Sequence, residues 1–163
     1  MRRALSWFFI VLFAFEVPLY AGLGSDKSRY VGGTVTAIPK GSEGKLNTDD
    51  VKTLEFKYEK GGDWNAPYDK VTSIAYGQHA GRRVGATVAW GVTTLGIMAL
   101  PLLFSKKRRH YLTIEYTDPQ GAAQAAVFEV GKDAIRTTLA SLEVRTGKKV
   151  EYEDEEARKS GSK

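Results

Sequence analysis

Val84 to Phe104, VGATVAWGVTTLGIMALPLLF, runs for twenty-one residues without a charge between Arg82-Arg83 and Lys106-Lys107-Arg108-Arg109. At ~1.5 Å per residue a helix of this length covers about 30 Å, the thickness of a bilayer's hydrocarbon core. How the stretch is read decides the fold, because strand-like sequence lies on both sides of it. If those strands share one sheet, the stretch has to return to the side it left, since backbone groups cannot be left unpaired in lipid. Gly91 to Gly96 is then the bend between two arms, each reaching ~15 Å. If they do not, the stretch is a plain crossing between two unrelated halves, with Lys106 to Arg109 as cytoplasmic stop-transfer charges.

A helix apolar all round also suits the centre of a soluble domain. Against that reading stand the basic flanks, which match anionic headgroups, and the interruptions by Gly85, Gly91, Gly96 and Pro101, which membrane helices tolerate better than soluble ones. Gly81, Gly85 and Ala89 recur at every fourth position, a spacing that permits close helix contact. The residues expected at the membrane are Arg82, Arg83, Trp90, Leu95, Leu102, Phe104, Lys106, Lys107, Arg108 and Arg109.

Met1-Arg2-Arg3 followed by the short apolar run Ala4 to Phe15 is the pattern of a secretory signal, which places residues 1–21 outside the fold. Cleavage after Ala21 is the expected outcome, and an uncleaved anchor is the alternative, because Leu19 is larger than the residue usual two positions earlier. Removing residues 1–21 takes away Arg2, Arg3 and Glu16, so the formal charge falls from +5 to +4. So mild a balance gives no reason to expect nucleic acid as a partner. With no cysteine in the chain there is no disulfide and no thiol-linked lipid.

Outward from the stretch, the period is two. Val31, Gly33, Val35 and Ala37 alternate with Gly32, Thr34 and Thr36. Lys40 to Asp50 is rich in turn formers and reads as a loop. Leu54, Phe56 and Tyr58 alternate with charged residues, and Gly61-Gly62-Asp63 follows as a turn. Pro67 to Tyr76 reads as a strand with Thr72, Ile74 and Tyr76 on one face. On the far side Leu112, Ile114 and Tyr116 form a strand closed by Asp118-Pro119-Gln120-Gly121, with Ala123 to Val130 as its hairpin partner. Ile135, Leu139 and Leu142 then fall at i, i+4, i+7, the stripe of a helix from about Asp133 to Thr146, with Asp133 able to cap its start and Gly147 its end. Residues 151–163 read as a charged, solvated tail.

The expected fold class is therefore α+β, a small antiparallel β-sandwich or barrel with a C-terminal capping helix and an inserted hydrophobic helix or helical hairpin, in one domain over residues 28–150 interrupted at 84–104. The order of elements and the phrase PYDKVTSIAYG at Pro67 to Gly77 resemble the bacterial branch of the pleckstrin-homology-like fold. That family has a similar tyrosine-containing "Y-x-x-I-x-S-I" strand, seven strands in a bent sandwich and a helix plugging one end. The resemblance covers Tyr30 to Lys149 apart from the insertion, and five strands are legible here. It implies a lipid-, peptide- or protein-binding scaffold without catalysis. Lys40 and Lys45 do not match the basic pattern that some members use for phosphoinositides, so that ligand is not carried over.

No catalytic, cofactor or metal motif is present. His79 and His110 each sit beside an arginine pair without an HExxH partner, which makes them surface flanks. Gly41-Ser42-Glu43-Gly44-Lys45 lacks the glycine spacing and terminal hydroxyl of a phosphate loop and reads as a turn. The acidic runs at Asp49-Asp50 and Glu153 to Glu156 read as solvated rather than metal-ligating. The reading is a non-catalytic, exported, membrane-associated protein of the cell envelope or periplasmic side, with membrane lipid and an envelope protein or peptide as partners and no cofactor. A single-pass protein with separate outer and cytoplasmic halves and an unrecognised envelope enzyme are the alternatives.

Overall fold

The computed structural model describes residues 27–59, 61–78 and 109–161. In chain order these form β1 (Ser28–Gly33), β2 (Glu43–Asn47), β3 (Thr53–Tyr58), β4 (Gly62–Pro67), a 3-10 turn (Tyr68–Lys70), β5 (Val71–Gly77), β6 (His110–Thr117), β7 (Ala123–Val130), α1 (Lys132–Thr146), β8 (Val150–Tyr152) and α2 (Glu155–Gly161). The class is α+β. All eight strands join one sheet in the order β4-β3-β2-β1-β7-β6-β5-β8, and only the β5–β8 pair is parallel.

The strands before and after the apolar stretch belong to the same sheet. β5 and β6 run antiparallel with Val71 opposite Tyr116 and Gly77 opposite Tyr111. The inserted helix or hairpin expected at 84–104 lies outside the described residues. Among the described residues no helix is long and apolar enough to cross a membrane.

The sheet closes over its own apolar face. Trp64 on the edge strand β4 has its ring 5.5 Å from those of Tyr116 on β6 and Phe128 on β7, and its Nε1 donates to Tyr116 Oη at 3.1 Å. Phe128 also meets Phe56 at 4.9 Å and Tyr30 at 5.6 Å. Each fully buried large side chain of this kind is worth about 1.5–3 kcal/mol over leaving it in water. Ile135, Leu139 and Leu142 of α1 complete the cluster, as their spacing predicts. Tyr30 is buried deeply enough that desolvation pushes its phenol up to about 12, while its hydroxyl donates to the Val35 carbonyl at 3.0 Å.

One glycine sets how closely β1 approaches β7. β1 slips register against β7 between Tyr30 and Gly32. Gly33 there has φ +140°, and a Cβ on it would run into the Ala125 carbonyl. Only a residue without a side chain lets the two strands approach so closely.

Several elements depart from the pattern in the sequence. The expected loop at Lys40 to Asp50 contains β2, which buries only Gly44 and Leu46 and has polar residues at its other positions. Of the expected turn Gly61-Gly62-Asp63, Gly62 and Asp63 already belong to β4, where buried Trp64 and Ala66 alternate with exposed Asp63 and Asn65. Val35 and Ala37 lie past the end of β1. A second irregularity between Val71 and Ser73 puts Val71 on the buried face with Ile74 and Tyr76 and turns Thr72 to solvent. Helix α1 starts one residue earlier than expected. Gly131 is its N-cap and makes no side-chain bond, while Asp133 sits in the first turn, where a negative charge suits the helix dipole. Gly147 does end it, at φ 67°, donating to the Glu143 carbonyl. Within residues 151–163, expected as a solvated tail, Glu151 and Tyr152 join Val150 in β8 and Glu155–Gly161 forms α2, with Ala157 buried.

Candidate functional site at the base of the insertion

The last described residue before the gap is Gln78 and the first after it is Arg109, whose backbone N–H reaches the Gln78 carbonyl at 3.4 Å. Gln78 and Arg109 are therefore neighbours at the end of the β5–β6 pair. Two polar clusters surround that point.

The first is centred on Glu129 of β7. Cross-strand register sets Arg29 of β1 and Tyr111 of β6 on either side of it. Glu129 Oε2 accepts from Arg109 Nη1 at 2.8 Å and lies 3.4 Å from Arg29 Nη1, and Arg29 also bonds to Glu43. Its side chain is only 9% exposed, so the two guanidiniums stand where water would otherwise solvate the carboxylate. Beside it Val31, Tyr111 and Val127 form a small apolar cluster separate from the main core.

The second joins β5, β6 and α2. Tyr76 Oη lies 2.6 Å from His110 Nδ1 and 3.0 Å from Ser160 Oγ, and the Tyr76 and His110 rings stack at 6.0 Å. Burial, aided by the charge of Lys132, holds His110 below its usual 6.5. A neutral imidazole with a bare Nδ1 is then the form that accepts the phenol proton. Gln78 Nε2 donates to Ser160 Oγ at 2.6 Å, and the Gln78 backbone N–H donates to Asp154 Oδ2 at 2.8 Å. Glu153, next to Gly77, is pushed up to about 7 by burial and by the nearby charges of Asp154 and Glu151.

Of the residues expected at the membrane, only Arg109 is described, and its guanidinium is engaged by Glu129. Arg82, Arg83, Trp90, Leu95, Leu102, Phe104, Lys106, Lys107 and Arg108 lie outside the described residues, as do His79 and the signal segment 1–21. His110, expected as a surface flank, is part-buried and bonded to Tyr76. Of Gly41-Ser42-Glu43-Gly44-Lys45, expected as a turn, Gly41 lies in a turn but Glu43, Gly44 and Lys45 belong to β2; Gly41, Ser42 and Glu43 line a surface depression with Pro39, Lys40 and Glu59. Among the described residues no group of three or more His, Asp or Glu side chains could hold a metal ion. Spacing does not single out Tyr76, Gln78, Glu153 or Ser160, because the contacts joining them span up to 84 residues of sequence.

No protein-family model matches this chain, and no curated protein matches it significantly.

Proposed function

We propose that the protein is a non-catalytic, membrane-associated binding module of the cell envelope. In this reading a pleckstrin-homology-like sheet domain is seated on the bilayer by its apolar insertion, and the insertion dips into one leaflet and returns. One observation carries the reading: β5 and β6 pair along their length, so residues 78 and 109 are neighbours on one edge of the fold. A stretch of twenty-one uncharged residues that starts and ends at one point can enter lipid only by turning back. Arg82-Arg83 and Lys106 to Arg108 then meet the same headgroup layer.

Seven strands precede α1, arranged as a run of four and a run of three, and α1 lays its apolar stripe on the core. This supports the resemblance in strand number as well as in element order. A non-catalytic role is supported by the tight internal pairing of Tyr76, His110, Gln78 and Ser160, whose polar atoms bond to one another. The partner class is membrane lipid together with a protein or peptide of the envelope.

Single cysteines at Ser73 and Thr117 should both react with an impermeant reagent from the same side of the membrane, and the protein should stay in the pellet after carbonate extraction. Replacing residues 84–104 by a short polar linker should move it to the supernatant. A protein that extracts freely with the stretch intact would end the membrane reading, and labelling from opposite sides would restore the plain crossing.

A further inference from the structure

Strand β8 is held to the sheet by few residues, and the segment that follows it contacts Gln78 at the end of β5. It pairs with β5 only through Ile74–Val150, Ala75–Glu151 and Tyr76–Tyr152, in parallel, which is slightly the weaker mode per residue. Past β8 the chain grips the last residues of β5. The Glu153 N–H donates to the Tyr76 carbonyl at 2.9 Å, Asp154 accepts the Gln78 N–H, and Ser160 accepts the Gln78 side-chain amide. Tyr152 meets the Tyr76 ring edge-on, Ala157 enters the core, and Arg136 of α1 donates to the Ser160 carbonyl at 2.9 Å. The backbone and side chain of Gln78, immediately before residue 79, are thus both held by residues 154–160.

We propose that Val150–Gly161 is a latch on the edge of β5, closed over Tyr76–Gln78 while Glu153 is protonated and released when Glu153 ionises.

The geometry supplies the reason. The Glu153 carboxylate is packed against Gly77, and the charges acting on it, Asp154 and Glu151, are both negative. Its neighbours on β5, Tyr76 and Gly77, are uncharged. From β6, His110 stacks on Tyr76, and Glu115 is itself held up by burial and by Glu151. From α1, Glu143 accepts the Val150 N–H, Arg136 engages Ser160, and Lys132 acts on His110. With Glu153 raised from 4.5 to about 7, its contribution to closure is complete below 4.5 and is lost as pH rises through about 7. His110 works in the opposite sense. Its lowered value means that closure is disfavoured only as pH falls below 6.5.

The test is amide hydrogen exchange on the full chain in detergent micelles, corrected for intrinsic rates, read at Glu153 and Gln78 with Leu112 as the report on the global fold. Between about pH 6 and about pH 8 the protection at Glu153 and Gln78 should fall by up to about tenfold while Leu112 holds. Glu153→Gln should abolish that fall, and His110→Asn should retain it. Should Glu153→Gln lower Leu112 protection, Glu153→Met, which also has no proton to lose, takes its place. The proposal is overturned by a flat wild-type profile, by an undiminished fall in the Glu153 variant, or by loss of the fall in His110→Asn. None of these outcomes depends on the membrane reading.

Discussion

β5 is bordered by two strands that hold it in different ways. Toward β6 it pairs antiparallel along its length, and Ile74, Tyr76, Leu112 and Ile114 bury together almost completely. Toward β8 it pairs through three residues, and the apolar contribution there is small, Val150 and Ala157, beside hydrogen bonds among Tyr76, Gln78, Asp154 and Ser160. The first border is set by burial of apolar area, which cannot be lost piecemeal. The second is set more by polar contacts, each worth about 0.5–1.5 kcal/mol, than by apolar area, and can open locally while the rest stays folded.

The comparison breaks most sharply at Phe128. It is fully buried between Tyr30, Phe56 and Trp64, so Phe128→Ala should cost about 3–5 kcal/mol in denaturant unfolding and lower protection at both borders together. A loss confined to the β8 side would refute the single-core description. Gly33→Ala comes next. Its positive φ and the closeness of the Ala125 carbonyl should make the substitution cost about 1–3 kcal/mol, shown as a lowered unfolding midpoint with an unchanged denaturant slope. Arg109→Ala should cost only about 1 kcal/mol, because the arginine is 35% exposed and Arg29 stays near Glu129. Glu129→Gln in the Arg109→Ala background should then add less than it does alone, a coupling measurable by a double-mutant cycle.

Legibility in the sequence divides along the same line. β3, β5, β6, β7 and α1 are legible because each carries a run of apolar residues at period two or on one helical stripe, the imprint of a face buried in the main core. β2 and β4 are not. Each buries one large and one small residue, Leu46 with Gly44 and Trp64 with Ala66, and the flanking Gly62 and Pro67, or Gly41 and Asn47, are residues that ordinarily mark turns. The irregularity at Val71–Ser73 is equally silent, since one extra residue reverses the face of Thr72 without changing composition. The polar cluster at the base of the insertion is least legible of all. His110 is visible as a histidine, but its partners come from β5 and from a C-terminal segment whose acidic composition is that of a solvated tail. Hydrogen bonds between residues so far apart in sequence leave no local period to detect.

The smallest expected effect tests the same contrast from the core side. Tyr68, in the 3-10 turn before β5, is 3% exposed, yet its hydroxyl has no hydrogen-bond partner among the described residues. Its ring is covered instead by the Arg145 guanidinium, 5.7 Å from the ring centroid, which is also bonded to the Asp49 carbonyl. A hydroxyl taken from water and left unpaired opposes folding, whereas a ring under a cation favours it, and the two act on different atoms of one side chain. Tyr68→Phe removes the first and keeps the second. It should therefore be neutral or stabilising by up to about 1 kcal/mol in denaturant unfolding. Tyr76→Phe, which takes a hydroxyl away from His110 and Ser160, should destabilise the β8 border by a similar amount, seen in exchange at Gln78. If both substitutions destabilised equally, Tyr68 would have to be hydrogen-bonded, and the division between an apolar border and a polar one would fail at the turn where β5 begins.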